Sequence, residues 1–153
     1  LDFLQTGSFD LRHLLKILLM RYLMISALFW NIRGVSKAPN LRRLIRLIRI
    51  HDVQFLCICE PKLDAAKIES IRLRLAFDYI TVNASADLWV FYKSPFVCSR
   101  VGSSDQHISL DAHHPLLPGS LMLSWVHARG SVESRKDLLR ISCSTNHDRI
   151  PGA

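Results

Sequence analysis

Apolar residues recur along the chain with two different spacings. Residues 25–30 and 53–60 are nearly continuous apolar runs, which are typical of short strands buried in a sheet. Between them, residues 39–50 carry apolar side chains at spacings of three and four, which predicts an amphipathic helix. Its predicted buried face consists of Leu41, Leu44, Ile45 and Ile48. Strand, helix and strand in this order predict a βαβ unit with two parallel strands.

The later pattern predicts a second helix over residues 64–75 with Asp64 as its N-cap. Ser, Asp, Gly and Pro turns then separate five predicted strands. These strands cover residues 78–83, 88–93, 96–101, 107–111 and 121–127. A last helix is predicted over residues 132–140, and residues 141–153 are expected to form an unstructured tail. One domain over residues 24–140 is the resulting expectation.

The first 23 residues are apolar and basic, and they lie before the regular pattern. Lys16 and Arg21 interrupt them, so no apolar run reaches the ~18 residues that a membrane-spanning helix needs. An amphipathic surface helix, a targeting segment and an upstream extension all fit this composition. We favour the extension, because the regular pattern opens at Met24.

The chain of 153 residues has a formal charge of +7 and is 49% hydrophobic, an ordinary globular composition. A positive balance of this size favours a polyanionic partner, either nucleic acid or an anionic membrane surface. The alternative is a basic surface without a specific partner. Arg42, Arg43 and Arg46 lie on the outer face of the first predicted helix. They could contact phosphates, or simply form the solvated face of a helix that covers a sheet.

Cysteine and histidine do not show metal-ligand spacing. Cys57 and Cys59 are two apart in an apolar run, so they should share one strand face as small buried residues. A zinc or disulfide role is the weaker alternative, and a reducing, intracellular compartment fits best. His113 and His114 are expected in a surface turn rather than at a metal.

Polar side chains stand where the first two predicted strands end. Asn31 follows the first strand and Glu60 closes the second. Carboxyl ends of parallel strands meet at one sheet edge, where α/β proteins gather ligands. Mg²⁺ is commonly held by one or two carboxylates plus substrate phosphates. The alternative is structural, with Glu60 capping the next turn and Asn31 bonding local backbone.

The stretches "FWNIRG" and "FLCICEPK" resemble the first two motifs of the endonuclease/exonuclease/phosphatase superfamily. Residues from Met24 to about Leu139 are similar to the nuclease domain of plant non-LTR retrotransposon polyproteins. The later stretches that carry this resemblance are "LRLAFDYITVNAS", "LWVFYKSPF", "SSDQHISL", "HHPLLP" and "SWVHARGSVESRKDLL".

The resemblance implies a layered α/β sandwich and Mg²⁺-dependent cleavage of phosphodiesters, with DNA as the substrate. It also implies a nuclear location, with the cytoplasm as the alternative. It implies that Glu60 is the metal ligand, that Asn31 helps to position the phosphate and this carboxylate, and that His127 lies beside the substrate. The predicted nucleic-acid-binding residues are Arg33, Arg42, Arg43 and Arg46.

Two motifs of the superfamily are missing from the sequence. Neither the Gly-Asp-Phe-Asn motif nor the terminal Ser-Asp-His motif occurs, and Asn146-His147-Asp148 has the wrong order. We therefore expect a sandwich truncated to roughly its first half and catalytically incomplete. The alternatives are a non-catalytic, basic nucleic-acid-binding fragment and a remnant of a decayed retroelement without a selected role.

Overall fold

The computed structural model describes residues 25–35 and 37–128, which form a mixed α/β structure with two sheets and two helices. The first sheet and the helices that accompany it comprise β1 (Ala27–Asn31), α1 (Ala38–Ile50), β2 (Phe55–Cys59), α2 (Ile68–Leu75), β3 (Tyr79–Val82) and β4 (Leu88–Tyr92). The second sheet comprises β5 (Val97–Ser103), β6 (His107–His113) and β7 (Leu121–Val126).

The first sheet has the strand order β1-β2-β4-β3, and only its β1–β2 pair is parallel. Asn31 pairs with Cys59 in this register, so β1 and β2 end at the same edge. The predicted βαβ unit is therefore confirmed. Because β4 runs antiparallel to β2, its first residue Leu88 also lies at that edge, opposite Cys59.

Helix α1 covers the first sheet with the face that the sequence predicts. Leu41, Leu44 and Ile48 are buried and Ile45 is partly buried, whereas the arginines of the helix are exposed. The Asn40 side chain donates to the carbonyls of Ile32 (3.4 Å) and Gly34 (3.2 Å). These hydrogen bonds tie the first turn of the helix to the loop after β1, so the beginning of α1 lies beside the edge where β1 ends.

The fully buried strand β2 separates two hydrophobic clusters. Leu56 and Ile58 belong to the cluster on the helix side, as do Trp89 and Phe91 of β4. The alternate residues Phe55, Cys57 and Cys59 belong to the cluster beneath the second sheet. As predicted, the two cysteines share a face and are buried free thiols. Their burial follows from the two-residue period of a strand.

The second sheet is an antiparallel meander in the order β5-β6-β7, with an irregularity between Arg100 and Gly102. Its inward side chains, which include Ile108, Leu110 and Trp125, pack in the same cluster as Phe55 and Cys57. Strands β5 and β6 extend to Ser103 and His113, beyond the ends that were predicted from sequence. The two sheets thus share one buried layer.

The sequence predicted that Asp64 caps a helix over residues 64–75, but the structure shows a different arrangement. Its carboxylate accepts from the Ala66 amide (2.9 Å) and closes a 3₁₀ turn over Ala65–Lys67, after which α2 begins at Ile68. An aspartate carboxylate can accept from the amide two residues later both at the start of an α-helix and in a 3₁₀ turn, so an Asp at this position does not distinguish the two. The pattern predicts Ile68, Ile71 and Leu75 on the inner face of this helix; Ile71 and Leu75 are buried, and Ile68 is partly buried.

The predicted surface turn is wrong for both histidines. His113 is exposed but is the last residue of strand β6, and His114 is only 9% exposed and packs against Phe96 with ring centroids 4.7 Å apart. Its Nδ1 accepts from the Leu116 amide (3.1 Å), which satisfies the buried ring nitrogen.

The predicted extension (residues 1–23), last helix (132–140) and tail (141–153) lie outside the described residues. Within the described part of the chain, no helix is both long enough and apolar enough to cross a bilayer.

We predict that burial of His107 makes the fold sensitive to acid. This residue is 7% exposed, its Nδ1 lies 2.6 Å from the Ser104 hydroxyl, and burial lowers the pKa of its imidazole below the ordinary 6.5. Its contribution to stability is therefore complete above the unfolded-state pKa of 6.5 and is lost as pH falls through the lower folded-state pKa. Wild-type melting temperature should fall between about pH 7.5 and about pH 5.

The same melting series in His107→Gln should show a weaker pH dependence. His51→Gln, which changes an exposed histidine after α1, serves as the control and should follow the wild type. Equal losses in wild type and His107→Gln would contradict the assignment.

Candidate metal centre

Asn31 and Glu60 meet at the edge where β1 and β2 end. The Asn31 Nδ2 donates to Glu60 Oε1 at 3.3 Å. This contact follows from the parallel pairing, which places Asn31 level with Cys59 and therefore next to the residue after it. The adjacency predicted from the two strand ends is present.

The Glu60 backbone leaves the strand in a left-handed conformation, with φ at +53°. That conformation costs a non-glycine residue about 1–2 kcal/mol. Its amide donates to the Asp87 carbonyl (2.9 Å), and its carbonyl accepts from the Gly34 amide (3.2 Å). These hydrogen bonds fix the backbone on both sides. The carboxylate therefore points to the edge where β1 and β2 end, which we call the rim, and keeps 30% exposure.

His127 reaches the same carboxylate from the second sheet. It directly follows β7, and its Nε2 lies 3.3 Å from Glu60 Oε1. The imidazole is 19% exposed, and its Nδ1 is buried with no hydrogen-bond partner among the described residues. Asn31 and His127 both contact Oε1, so neither of these contacts occupies the second carboxylate oxygen.

Asn83 joins the two sheets beside this group. It is 5% exposed, and its Nδ2 lies within hydrogen-bond distance of the Ser104 carbonyl (3.1 Å) and the Asp105 carbonyl (2.9 Å). Its Oδ1 accepts from the Leu88 amide at 3.0 Å. The next residue of the same turn, Gln106, accepts the His127 backbone amide at 2.8 Å. Asn83 therefore fixes the turn on which His127 depends.

Cys59 completes a set of three potential metal ligands. Ligand atoms of Cys59, Glu60 and His127 all lie within 4.8 Å of one another. Burial, with the nearby carboxylates of Glu60 and Asp87, raises the pKa of the Cys59 thiol to about 11. The thiol is therefore protonated at neutral pH in the metal-free protein.

The positions of Cys59 and Asn83 in the site were not predicted from sequence. Cys59 was predicted as a small buried residue, with a zinc or disulfide role as the weaker alternative, and its alternation with Cys57 does not indicate that a histidine of the second sheet lies nearby. Asn83 had a usable signal, because, like Asn31, it is a carboxamide immediately after an apolar strand.

The predicted nucleic-acid-binding arginines are exposed but are not part of the metal centre. Arg33 lies in the loop after β1, and Arg42, Arg43 and Arg46 lie on α1. The Arg43 guanidinium stands 5.6 Å from the centroid of Trp30. None of the carboxylates in the described ranges forms an ion pair with these four arginines.

A separate groove of about 310 Å³ lies at the opposite edge of the first sheet. Arg49, Arg74 and Lys93 line it with Asp52, which is 3.7 Å from the Lys93 amine. Asp52 precedes β2 and Lys93 follows the antiparallel β4, so this groove is remote from Glu60.

Comparison with known proteins finds no protein-family model that matches the chain and no curated protein with a significant match. The donor set fits Mg²⁺ in one respect, since Glu60 supplies a carboxylate and Asn31 an amide at one rim. The thiol and imidazole next to them are ligands that Mg²⁺ does not prefer.

We predict that Asn83→Ala destabilises the fold by about 2–4 kcal/mol, because it removes a buried hydrogen-bond network and leaves the Leu88 amide without its partner. Urea unfolding of the full chain measures this loss. Ser85→Ala is the control: it removes a hydroxyl that bonds both the Asn83 side chain and the Asp105 carbonyl but leaves the Asn83 contacts to Ser104 and Asp105. If Asn83→Ala lowers the free energy of unfolding no more than the control does, Asn83 does not join the two sheets in the way described.

Proposed function

We propose that this chain is the amino-terminal part of a Mg²⁺-dependent phosphodiesterase of the endonuclease/exonuclease/phosphatase type, directed at DNA and catalytically incomplete on its own. The observation that supports this most is the convergence of Asn31 and His127 on Glu60, because these are the three residues that the resemblance assigns to the site. They come from three separate strand ends in two sheets.

The proposed fold is the first part of that superfamily's layered sandwich. Two observations support it: the sheets share a buried layer between them, and the helices pack on the outer face of the first sheet. The candidate site lies at the rim where both sheets end, as expected for a cleft between facing sheets.

Each residue has a distinct proposed role. Glu60 holds the metal, and Asn31 orients its carboxylate by donating to Oε1. His127, on the opposite sheet, lies beside the scissile phosphate and contacts the same oxygen of Glu60. When bound, Mg²⁺ would supply positive charge for the phosphoryl oxygens.

Efficient hydrolysis needs more than these groups provide. A phosphodiesterase must also orient and deprotonate a water molecule and stabilise the charge that develops. The superfamily assigns those tasks to the Gly-Asp-Phe-Asn and Ser-Asp-His motifs, which the 153 residues lack. Catalytic groups that act together lose activity non-additively, so we expect metal binding without efficient cleavage.

The test of this proposal is whether Mg²⁺ stabilises the folded chain through Glu60. A ligand that binds only the folded state stabilises it by RT ln(1 + [L]/Kd), or ~1.4 kcal/mol at about 10 mM Mg²⁺ for a Kd of about 1 mM. The melting temperature should therefore rise by several degrees in the wild type. Glu60→Gln removes the charged ligand at nearly constant volume and should abolish the rise.

Glu69→Gln is the matched control, because Glu69 is an exposed glutamate on α2 whose contacts are with Arg72. It should retain the Mg²⁺ response. A rise of equal size in Glu60→Gln, or no rise in the wild type, would refute the proposed site.

A second candidate function is DNA binding without cleavage. The exposed arginines of α1, none of which is paired with a described carboxylate, favour it. Affinity for duplex DNA should then fall as salt increases, with a slope of about −0.9 per neutralised phosphate. Replacing Arg42, Arg43 and Arg46 with Gln should make this salt dependence less steep by the equivalent of two to three phosphate contacts. Arg100→Gln on β5 should reduce it by the equivalent of at most about one contact.

A further inference from the structure

The proposed function leaves the Cys59 thiol without a role, although it lies in the same group of ligand atoms. Its sulfur lies within 4.8 Å of a carboxylate oxygen of Glu60 and a ring nitrogen of His127. These are three different donor types, and they come from both sheets. Cys57 lies two residues away on the same face, but it is not part of this group.

This donor set differs from the one that Mg²⁺ selects. Magnesium takes oxygen ligands and keeps several waters, whereas zinc binds thiolate, imidazole and carboxylate together. We infer that the rim is also a Zn²⁺ site, with Cys59, Glu60 and His127 as protein ligands and a fourth position open to water or a phosphate oxygen. The inference deepens the proposed function, since it specifies a second class of metal for the same site.

The geometry requires only a small closure. Zinc bonds of about 2.0–2.3 Å in a tetrahedral arrangement place two donors about 3.3–3.6 Å apart. The Glu60 and His127 atoms are already 3.3 Å apart. The remaining separations, which are at most 4.8 Å, must therefore shorten by no more than about 1.5 Å.

The free ring nitrogen of His127 makes this closure possible. Nε2 faces Glu60 and is the ligand atom of the inferred site. The other ring nitrogen, Nδ1, is buried and has no hydrogen-bond partner within the described ranges. The imidazole can therefore shift toward a metal at Nε2 without breaking a hydrogen bond at Nδ1.

Binding is a simple exchange of a proton for a metal ion. The Cys59 S–H bond breaks, the proton leaves to solvent and a sulfur–zinc bond forms, with no change in oxidation state. Both metals require Glu60, so Zn²⁺ and Mg²⁺ exclude each other at this rim.

The experiment uses the full chain with Co²⁺ as a spectroscopic probe and Zn²⁺ as the competitor. Wild-type protein should develop the intense near-ultraviolet band of a thiolate–cobalt bond, and Zn²⁺ should displace it. X-ray absorption at the zinc edge should show a sulfur neighbour at about 2.3 Å. Cys59→Ala should remove the band and weaken Zn²⁺ binding at least about tenfold, since even outer ligand partners contribute that much.

Cys57→Ala is the matched control, because both residues are fully buried cysteines on the same face of β2. It should keep the band. Glu60→Gln and His127→Gln change partly exposed side chains and should each weaken Zn²⁺ binding, which tests the site without opening the core. A wild type without a thiolate band, or a band that survives Cys59→Ala, would overturn the inference.

The Mg²⁺ melting response separates this inference from the proposed function. Cys59→Ala should keep the Mg²⁺ stabilisation, because a thiol contributes little to magnesium binding. A Cys59-dependent cobalt band in a protein indifferent to Mg²⁺ would support the zinc site and refute the magnesium site. A Mg²⁺ response through Glu60 without any thiolate band would support the magnesium site and refute the zinc site.

Discussion

The arrangement of the rim depends on Asn83, a buried carboxamide that joins the two sheets. Its hydrogen bonds connect the β3–β4 turn to the carbonyls of Ser104 and Asp105 in the β5–β6 turn. The shared hydrophobic layer holds the sheets together, but hydrophobic packing is non-directional and does not fix their ends relative to each other. Hydrogen bonds from one fully satisfied side chain do have direction, and the turn they fix also holds the backbone of His127 through Gln106. A histidine on the second sheet thereby reaches a carboxylate on the first.

Glu60 carries the central carboxylate of the rim, and its backbone conformation positions that carboxylate. Its left-handed conformation is held by hydrogen bonds to Asp87 on one neighbouring segment and Gly34 on the other. Strained residues persist where surrounding structure over-determines them, and such positions are common at functional sites. The same carboxylate oxygen is shared by Asn31 and His127, while the neighbouring thiol of Cys59 adds a soft donor. Under the proposals above, Mg²⁺ and Zn²⁺ would use different donors of this rim.

Much of the first sheet could be predicted from sequence, because its signals are local. The period of α1, the apolar runs of β1 and β2 and the parallel pairing together place Asn31 beside Glu60. The contributions of Asn83 and Cys59 could not be derived in this way, since they depend on how a second sheet packs against the first. His114 shows the same limit: a His-His-Pro stretch reads as an exposed turn, but Phe96 covers the second ring. The site role of His127 came from the resemblance alone, and its distance to Glu60 is a property of the tertiary structure.

The proposed function requires a divalent cation at the rim formed by Asn31, Glu60 and His127. The most direct measurement is paramagnetic broadening of backbone amide resonances by substoichiometric Mn²⁺, which occupies oxygen-rich sites much as Mg²⁺ does. The amides of Asn31, Glu60 and His127 should broaden first, while those of Asp52 and Lys93, at the opposite edge of the first sheet, should remain sharp. Uniform broadening, or broadening centred on Asp52, would contradict the proposed function.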